Sequence, residues 1–193
     1  ISHLENKHPM LAIVESPIPQ GDVPGNVLLR HKINTPIAMH YGNPPIMTAI
    51  KEGVCDGFVI GGGGSRIMRD AVVSAQANMP FWLQIVGTGL TTMFSVHLGA
   101  VLSHARWPAI PCVNIYEHPL IKGFTVESGH VKVPENPGLG VELDWDVIEN
   151  HRVDLDFKAE RRRQIHTIHW PDDRQAHYPD AFYRQEFLSG KHV

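Results

Sequence analysis

The chain has 193 residues, 42% of them apolar and 19% charged, a balance ordinary for a chain that buries a core and unlike that of a disordered one. Its 17 basic and 20 acidic residues leave a formal charge of -3, so there is no basic excess to neutralise a phosphate backbone and nucleic-acid binding is not expected. No apolar run approaches the roughly 20 residues of a bilayer span, and the opening ISHLENKHP lacks the apolar stretch of a signal peptide. The expectation is a soluble, cytoplasmic chain without membrane partners.

Short apolar runs alternate with helix-period segments, the rhythm of strand–helix units around a parallel sheet. Five runs, Leu11 to Val14, Ile37 to Met39, Phe58 to Ile60, Phe81 to Val86 and Cys112 to Tyr116, are too short for stable helices and apolar on both faces, as covered parallel strands are. Between them, Pro45 to Glu52 starts on a proline and stops at Gly53, the expected asymmetry of a short helix. Ser65 to Asn78 places Ile67, Met68, Ala71, Val72 and Ala75 on one stripe, and Thr91 to Ala105 does the same with Phe94, His97, Leu98, Val101, Leu102 and Ala105, which makes both amphipathic helices. Cys55 and Cys112 sit within apolar stretches and read as buried thiols, not as a disulfide framework.

After Tyr116 the rhythm changes. Phe124 to Glu127 and His130 to Val133 flank Ser128-Gly129, a two-residue turn signal that predicts a β-hairpin. A Pro/Gly-rich return, PENPGLG, follows. From His151 onward the chain is charged and aromatic, with Arg161 to Arg163 read as a solvated face or subunit contact and His166-x-x-His169 read as surface histidines. The organisation is therefore residues 1–150 as a partial strand–helix barrel with a terminal hairpin, and 151–193 as a C-terminal extension. Five such units cannot close a barrel of about eight strands, so either the sheet is open and doubly wound or the chain is the later part of a larger barrel.

Four passages carry a likeness to a known family: Val14-Glu15-Ser16-Pro17, then Asn34-Thr35-Pro36-Ile37-Ala38-Met39, then Gly61 to Gly64 opening a helix, and Val133-Pro134-Glu135-Asn136-Pro137-Gly138-Leu139-Gly140-Val141. Over Ile13 to Asp144 the chain resembles the C-terminal barrel region of the mandelate racemase and muconate-lactonizing branch of the enolase superfamily. The resemblance implies an α/β fold, roughly strands four to eight of a (β/α) TIM-type barrel. It also implies Mg²⁺ held by three carboxylates at successive strand ends, a small carboxylate-bearing substrate such as an acid sugar, proton abstraction followed by racemisation or dehydration, and homo-oligomeric assembly. A carbon acid beside a carboxylate is so weak that charge building on the carboxylate oxygens must be offset, which is what the cation does in that chemistry.

Carried over residue by residue, the match is uneven. Glu15 fits the second metal-carboxylate position. The third position holds Tyr41, whose phenol is a poor Mg²⁺ ligand with an ordinary pKa of about 10, and the neighbouring His40 reads as a hydrogen-bonding histidine. The sixth strand ends at Gly61 where the family brings a base, and the racemase-like histidine of the seventh strand corresponds to Gln84, which hydrogen-bonds but takes no proton at neutral pH. Glu117 matches the acid that contacts substrate carboxylate at the eighth strand. The expected roles are thus Glu15 at the metal, Glu117 in contact with substrate, and Gln84 and Tyr41 as hydrogen-bonding groups. Because three positions depart at once, the rival expectation is a catalytically silent barrel that binds or supports. Gly61 to Gly64 is read as a tight strand–helix connection, and His97 and His104 as packing residues.

Overall fold

The structure, a computed structural model, describes residues 1–8, 11–153, 165–170 and 172–179. The chain divides into two compact units, Ile1–His151 and Arg152–Val193. In the first, helices and strands alternate: α1 Ser2–Lys7, β1 Val14–Glu15, α2 Val23–Lys32, β2 Ile37–His40, α3 Ile46–Glu52, β3 Gly57–Ile60, α4 Gly64–Gln76, β4 Phe81–Leu83 and α5 Gly89–Val101. The four strands form one parallel sheet in the order β1-β2-β3-β4. Each strand is followed by a helix and pairs with the next in sequence, as in a barrel; the order nowhere reverses, as a doubly wound sheet requires. The α/β class with parallel strands is the one expected.

Local chemistry explains the helices. α2 is capped by Asp22, whose carboxylate accepts from Gly25 N at 3.0 Å, with a proline in its first turn; its Val23, Val27 and Leu29 pack on the core, a short pattern that sequence reasoning did not single out. α3 ends where Gly53 adopts φ 65°, a left-handed conformation glycine takes without steric penalty. In α4 the buried positions are Ile67, Asp70, Ala71 and Ser74, whereas Met68 and Val72 of the expected stripe are exposed. The buried Asp70 is paired with the exposed Arg66 and Arg69 (3.4 and 3.2 Å), so a charged residue takes a place in the stripe that the apolar pattern gave to Met68 and Val72. Val101 of α5 is likewise exposed, while Phe94, Leu98, Leu102 and Ala105 join the core as expected.

Alternation along the strands divides the core in two. Ile37, Met39, Phe58, Ile60, Phe81 and Leu83 point to one face and pack with Ile67 and Ala71 of α4. Ala38, Val59 and Trp82 point to the other face, joined by Ile13 and Trp107, with the two indoles 5.7 Å apart. The helix-covered face corresponds to the outside of a barrel wall and the Ala38–Val59–Trp82 row to its interior.

The fifth expected strand is not formed at Cys112 to Tyr116, where Val113–Ile115 is a 3-10 turn entered through Cys112 at φ 54°. Its place beside β4 is taken by the preceding residues: Trp107 N and Ile110 N donate to Phe81 O and Leu83 O, and Gly87 N donates to Pro111 O. Pro108 and Pro111 in that stretch have no N–H to give, which prevents a regular ladder. The hairpin is reduced to the bridge Glu127–His130, closed by reciprocal 2.9 Å bonds over Ser128 (φ 50°) and Gly129 (φ 77°), the two positive φ values of a type I′ turn. Leu120 to Lys122 then pair with Glu142 to Asp144, and α6, Trp145–Asn150, follows under an Asp144 cap.

In the second unit, β5 Ile165–His169 pairs antiparallel with β6 Gln175–Pro179. His166-x-x-His169 is therefore on a strand, without the helix turn on which that spacing would chelate. Arg161 to Arg163 lie outside the described residues. Cys55 is buried, its thiol pushed up to about 12 mainly by burial. Cys112 is partly exposed, and neither cysteine is in a disulfide.

Candidate functional site

Strand register decides which side chains can meet. Glu15 pairs with Ala38, His40 with Val59, and Val59 with Trp82, so Glu15 and His40 share the interior face of Ala38, Val59 and Trp82. Continuing the same alternation, Gly61 follows Val59 and Gln84 follows Trp82. The interior ends of four successive strands thus offer a carboxylate (Glu15), an imidazole (His40), no side chain (Gly61) and an amide (Gln84).

Glu15 and His40 are joined: His40 Nε2 lies 2.8 Å from Glu15 Oε1, with about half of the histidine and a third of the glutamate side chain exposed. A carboxylate accepts, so Nε2 carries the hydrogen and Nδ1 of the neutral ring is left with its lone pair. Glu15 is thus satisfied by a histidine from the neighbouring strand. Gln84 is held more loosely, its Oε1 3.5 Å from Trp82 Nε1. Gly61 is required by close approach: a Cβ there would stand 2.5 Å from Gln84 O. Gly62 has φ 110°, so the Gly61–Gly64 run is the tight connection expected.

Tyr41 has the opposite alternation. Its ring meets Phe58 edge-on at 5.4 Å, on the helix-covered side, and burial followed by the Asp70 charge raises its phenol above the ordinary value. It stays protonated at neutral pH, a donor and not an anionic ligand. His40 and Tyr41 nevertheless open together onto a cavity of about 240 Å³ whose other walls are Val59, Gly61, Gly62, Arg66 and Asp70. Arg66 and Arg69 both approach the buried carboxylate of Asp70 (3.4 and 3.2 Å), and Arg66 is the guanidinium that lines this cavity. The pair Arg66–Asp70 was visible in the sequence as an i, i+4 spacing on a helix, although sequence reasoning did not select it.

Glu117 is not brought to this wall. It lies beyond the 3-10 turn with 81% of its side chain exposed, 3.8 Å from His118, and its carboxylate gathers with His118 and His151. His97 Nε2 is bonded to Leu139 O at 3.1 Å and His104 to Asn78 Oδ1 at 3.1 Å, the packing roles expected. A larger cavity of about 630 Å³, lined among others by Ile121, Lys122, Phe124, Pro134 and Gly140, lies between the hairpin and the Pro/Gly-rich return, away from the strand ends.

Magnesium demands near-octahedral oxygen ligands. Of the four interior strand ends, only Glu15 brings a carboxylate, and His40 already engages it. The neighbouring end brings a nitrogen donor and the third brings none. These residues do not fit a magnesium ion held by three carboxylates.

A family model described as enolase C-terminal domain-like matches residues 3–147. D-xylonate dehydratase of Haloferax volcanii is 23% identical over 150 residues, which is 73% of this chain and 36% of that protein. Among solved structures, a mandelate racemase/muconate lactonizing family protein from Azoarcus sp. EbN1 superposes with a TM-score of 0.63 at 26% identity, over 77% of this chain and 44% of its own. An enolase from the alphaproteobacterium bal199, with bound magnesium, gives 0.60 at 25% identity over 77% and 42%. Muconate lactonizing enzyme from Pseudomonas fluorescens, complexed with muconolactone, gives 0.64 at 20% identity over 74% and 41%, a likeness of fold. The chain spans less than half the length of each of these relatives. With most of its length matched by the family model and its sheet superposing on barrel proteins of the same group, the chain belongs to the enolase superfamily, in its mandelate racemase and muconate-lactonizing branch.

Proposed function

We propose that this protein is an enolase-superfamily enzyme acting on a small carboxylate-bearing molecule of the acid-sugar class, by proton transfer leading to racemisation or dehydration. The observation that carries the reading is the 2.8 Å Glu15–His40 pair at neighbouring strand ends, whose His40 lines a cavity together with Tyr41 and Arg66. Glu15 accepts from Nε2 and so orients the imidazole, leaving Nδ1 to take the proton from the carbon beside the substrate carboxylate. The Arg66 guanidinium, which lines the cavity, offsets the charge that builds on the carboxylate oxygens, and the protonated Tyr41 donates a hydrogen bond. Departure of a β-hydroxyl with the proton held on His40 gives dehydration; racemisation would take its second proton from water on the opposite face, since no acid of the wall stands there among the described residues. Gln84 supplies a hydrogen bond farther along the wall. His40 engages only one oxygen of Glu15, but a single carboxylate among these strand ends does not make a magnesium site, so no step is routed through the ion, and the exposed Glu117 is given no part. A cytoplasmic location and a homo-oligomeric state go with this proposal.

A panel of acid sugars incubated with the protein in deuterium oxide tests it. We expect deuterium to appear beside the carboxylate, or the dehydrated keto acid to form, with His40→Gln lowering the rate by about 10²–10⁴ while ligand affinity changes little. No exchange and no product from any acid would refute the proton-transfer reading. Binding without exchange would select the second reading, a barrel that binds a carboxylate silently. Gly61 and Gln84 favour that reading, since neither takes a proton at neutral pH.

A further inference from the structure

Away from the sheet, Glu117, His118 and His151 place a carboxylate oxygen and two ring nitrogens within 4.8 Å of one another. We propose that these three residues form a site for a borderline transition-metal ion, Zn²⁺ or a similar divalent cation, which clips the end of α6 to the segment after the 3-10 turn. Two backbone features bring the ligands together. Asp144 N donates to Leu120 O and Lys122 N to Glu142 O, which ties the strand leading into α6 to the residues just after His118. The helix then carries His151 from that tie to its own C-terminal cap.

His151 is set for a metal by its own helix. His151 Nδ1 lies 2.8 Å from Val147 O; a carbonyl only accepts, so Nδ1 bears the hydrogen and Nε2 presents its lone pair. This is the arrangement in which an outer hydrogen bond fixes the tautomer of a metal-ligating histidine. His118 meets the same ring edge-on with centroids 4.9 Å apart, and Glu117 Oε1 is 3.8 Å from His118 Nε2. Ligands on a tetrahedral zinc, with bonds of about 2.0–2.2 Å, stand a little over 3 Å apart, so these side chains, Glu117 and His151 exposed and His118 half-buried, need close by about 1.5 Å at most. Two imidazoles with one carboxylate suit Zn²⁺, whereas Mg²⁺ prefers oxygen. Three protein ligands leave a fourth position for water.

The test uses the full chain stripped with chelator, then titrated with Zn²⁺ by calorimetry and with Co²⁺ by visible absorption. We expect one ion per chain, tetrahedral Co²⁺ bands displaced by Zn²⁺, and a rise in thermal midpoint on Zn²⁺ addition. His118→Ala and His151→Ala should each weaken binding at least tenfold and abolish the bands. Glu117→Gln, at an exposed position, should weaken binding with the fold intact, and His166→Ala with His169→Ala should change nothing. Binding that survives His118→Ala and His151→Ala, binding lost only in the His166/His169 variant, or no retained ion at all, would overturn the site.

Discussion

The two faces of the four-stranded sheet are built differently. The outer face is sealed by the helices that follow the strands, with Ile37, Met39, Phe58, Ile60, Phe81 and Leu83 all nearly or fully buried. The inner face is a thinner row, Ala38, Val59 and Trp82, closed by Ile13 and Trp107, and its strand ends are polar: Glu15, His40 and Gln84. Stability is concentrated on the first face, and chemistry is available at the rim of the second, because only the less crowded face leaves room for groups that must stay partly solvated.

The sharpest way to break that contrast is to empty the outer face. Phe58→Ala should cost about 3–5 kcal/mol, read as a shift in the urea midpoint, and should abolish cooperative unfolding if the face carries most of the stability. Glu15→Gln should leave that midpoint nearly unchanged, because an ion pair this exposed contributes little, while lowering turnover. If the two substitutions had equal effects on stability, the division between the faces would be wrong.

A smaller effect is expected at Asp56, which accepts from Arg30 Nε at 2.8 Å and from Ile37 N at 2.9 Å and so ties the start of β2 to α2. Asp56→Ala leaves the Ile37 amide without its acceptor and should cost about 1–3 kcal/mol by chemical denaturation, with hydrogen exchange quickened first where β2 begins to pair with β3.

Thiol chemistry distinguishes covered from open positions. With its thiol raised to about 12 by burial, Cys55 should stay unreactive toward a disulfide reagent at pH 8, whereas Cys112 reacts; mass mapping of the labelled peptide checks this. The raised value also means that Cys55 stabilises the fold fully below the unfolded thiol pKa of about 8.5. That contribution fades as pH climbs from there toward 12.

The smallest effect concerns α1. Glu5 accepts from Asn34 N, Thr35 N and the Thr35 hydroxyl at 2.6–2.8 Å, and the Thr35 hydrogen bonds hold its carboxyl below the ordinary 4.5. The tie is present above that value and is lost as pH falls through the lowered one. Faster exchange of the Ser2–Lys7 amides in acid, with the sheet still protected, is the expected observation; protection of α1 unchanged by acid would show the carboxylate is not what holds it.

Sequence alone reached the alternation of strands and helices, the Ser128-Gly129 turn, the Gly53 stop and the family passages, because each is written in neighbouring residues: a period, a proline, a glycine at a positive φ. It also supplied Glu15 and the departures at Tyr41, Gly61 and Gln84. It missed α2, whose Val23, Val27 and Leu29 pack on the core from a short stretch the periodicity did not single out, and it set a strand at Cys112 to Tyr116, where the apolar run resembles one although the prolines before it and the left-handed Cys112 prevent it. Tertiary structure alone decided that His40, not Tyr41, shares a face with Glu15, since strand register is a property of two paired segments and neither segment states it. It also gathered Glu117, His118 and His151, whose proximity depends on a backbone pairing between distant stretches that no local pattern encodes.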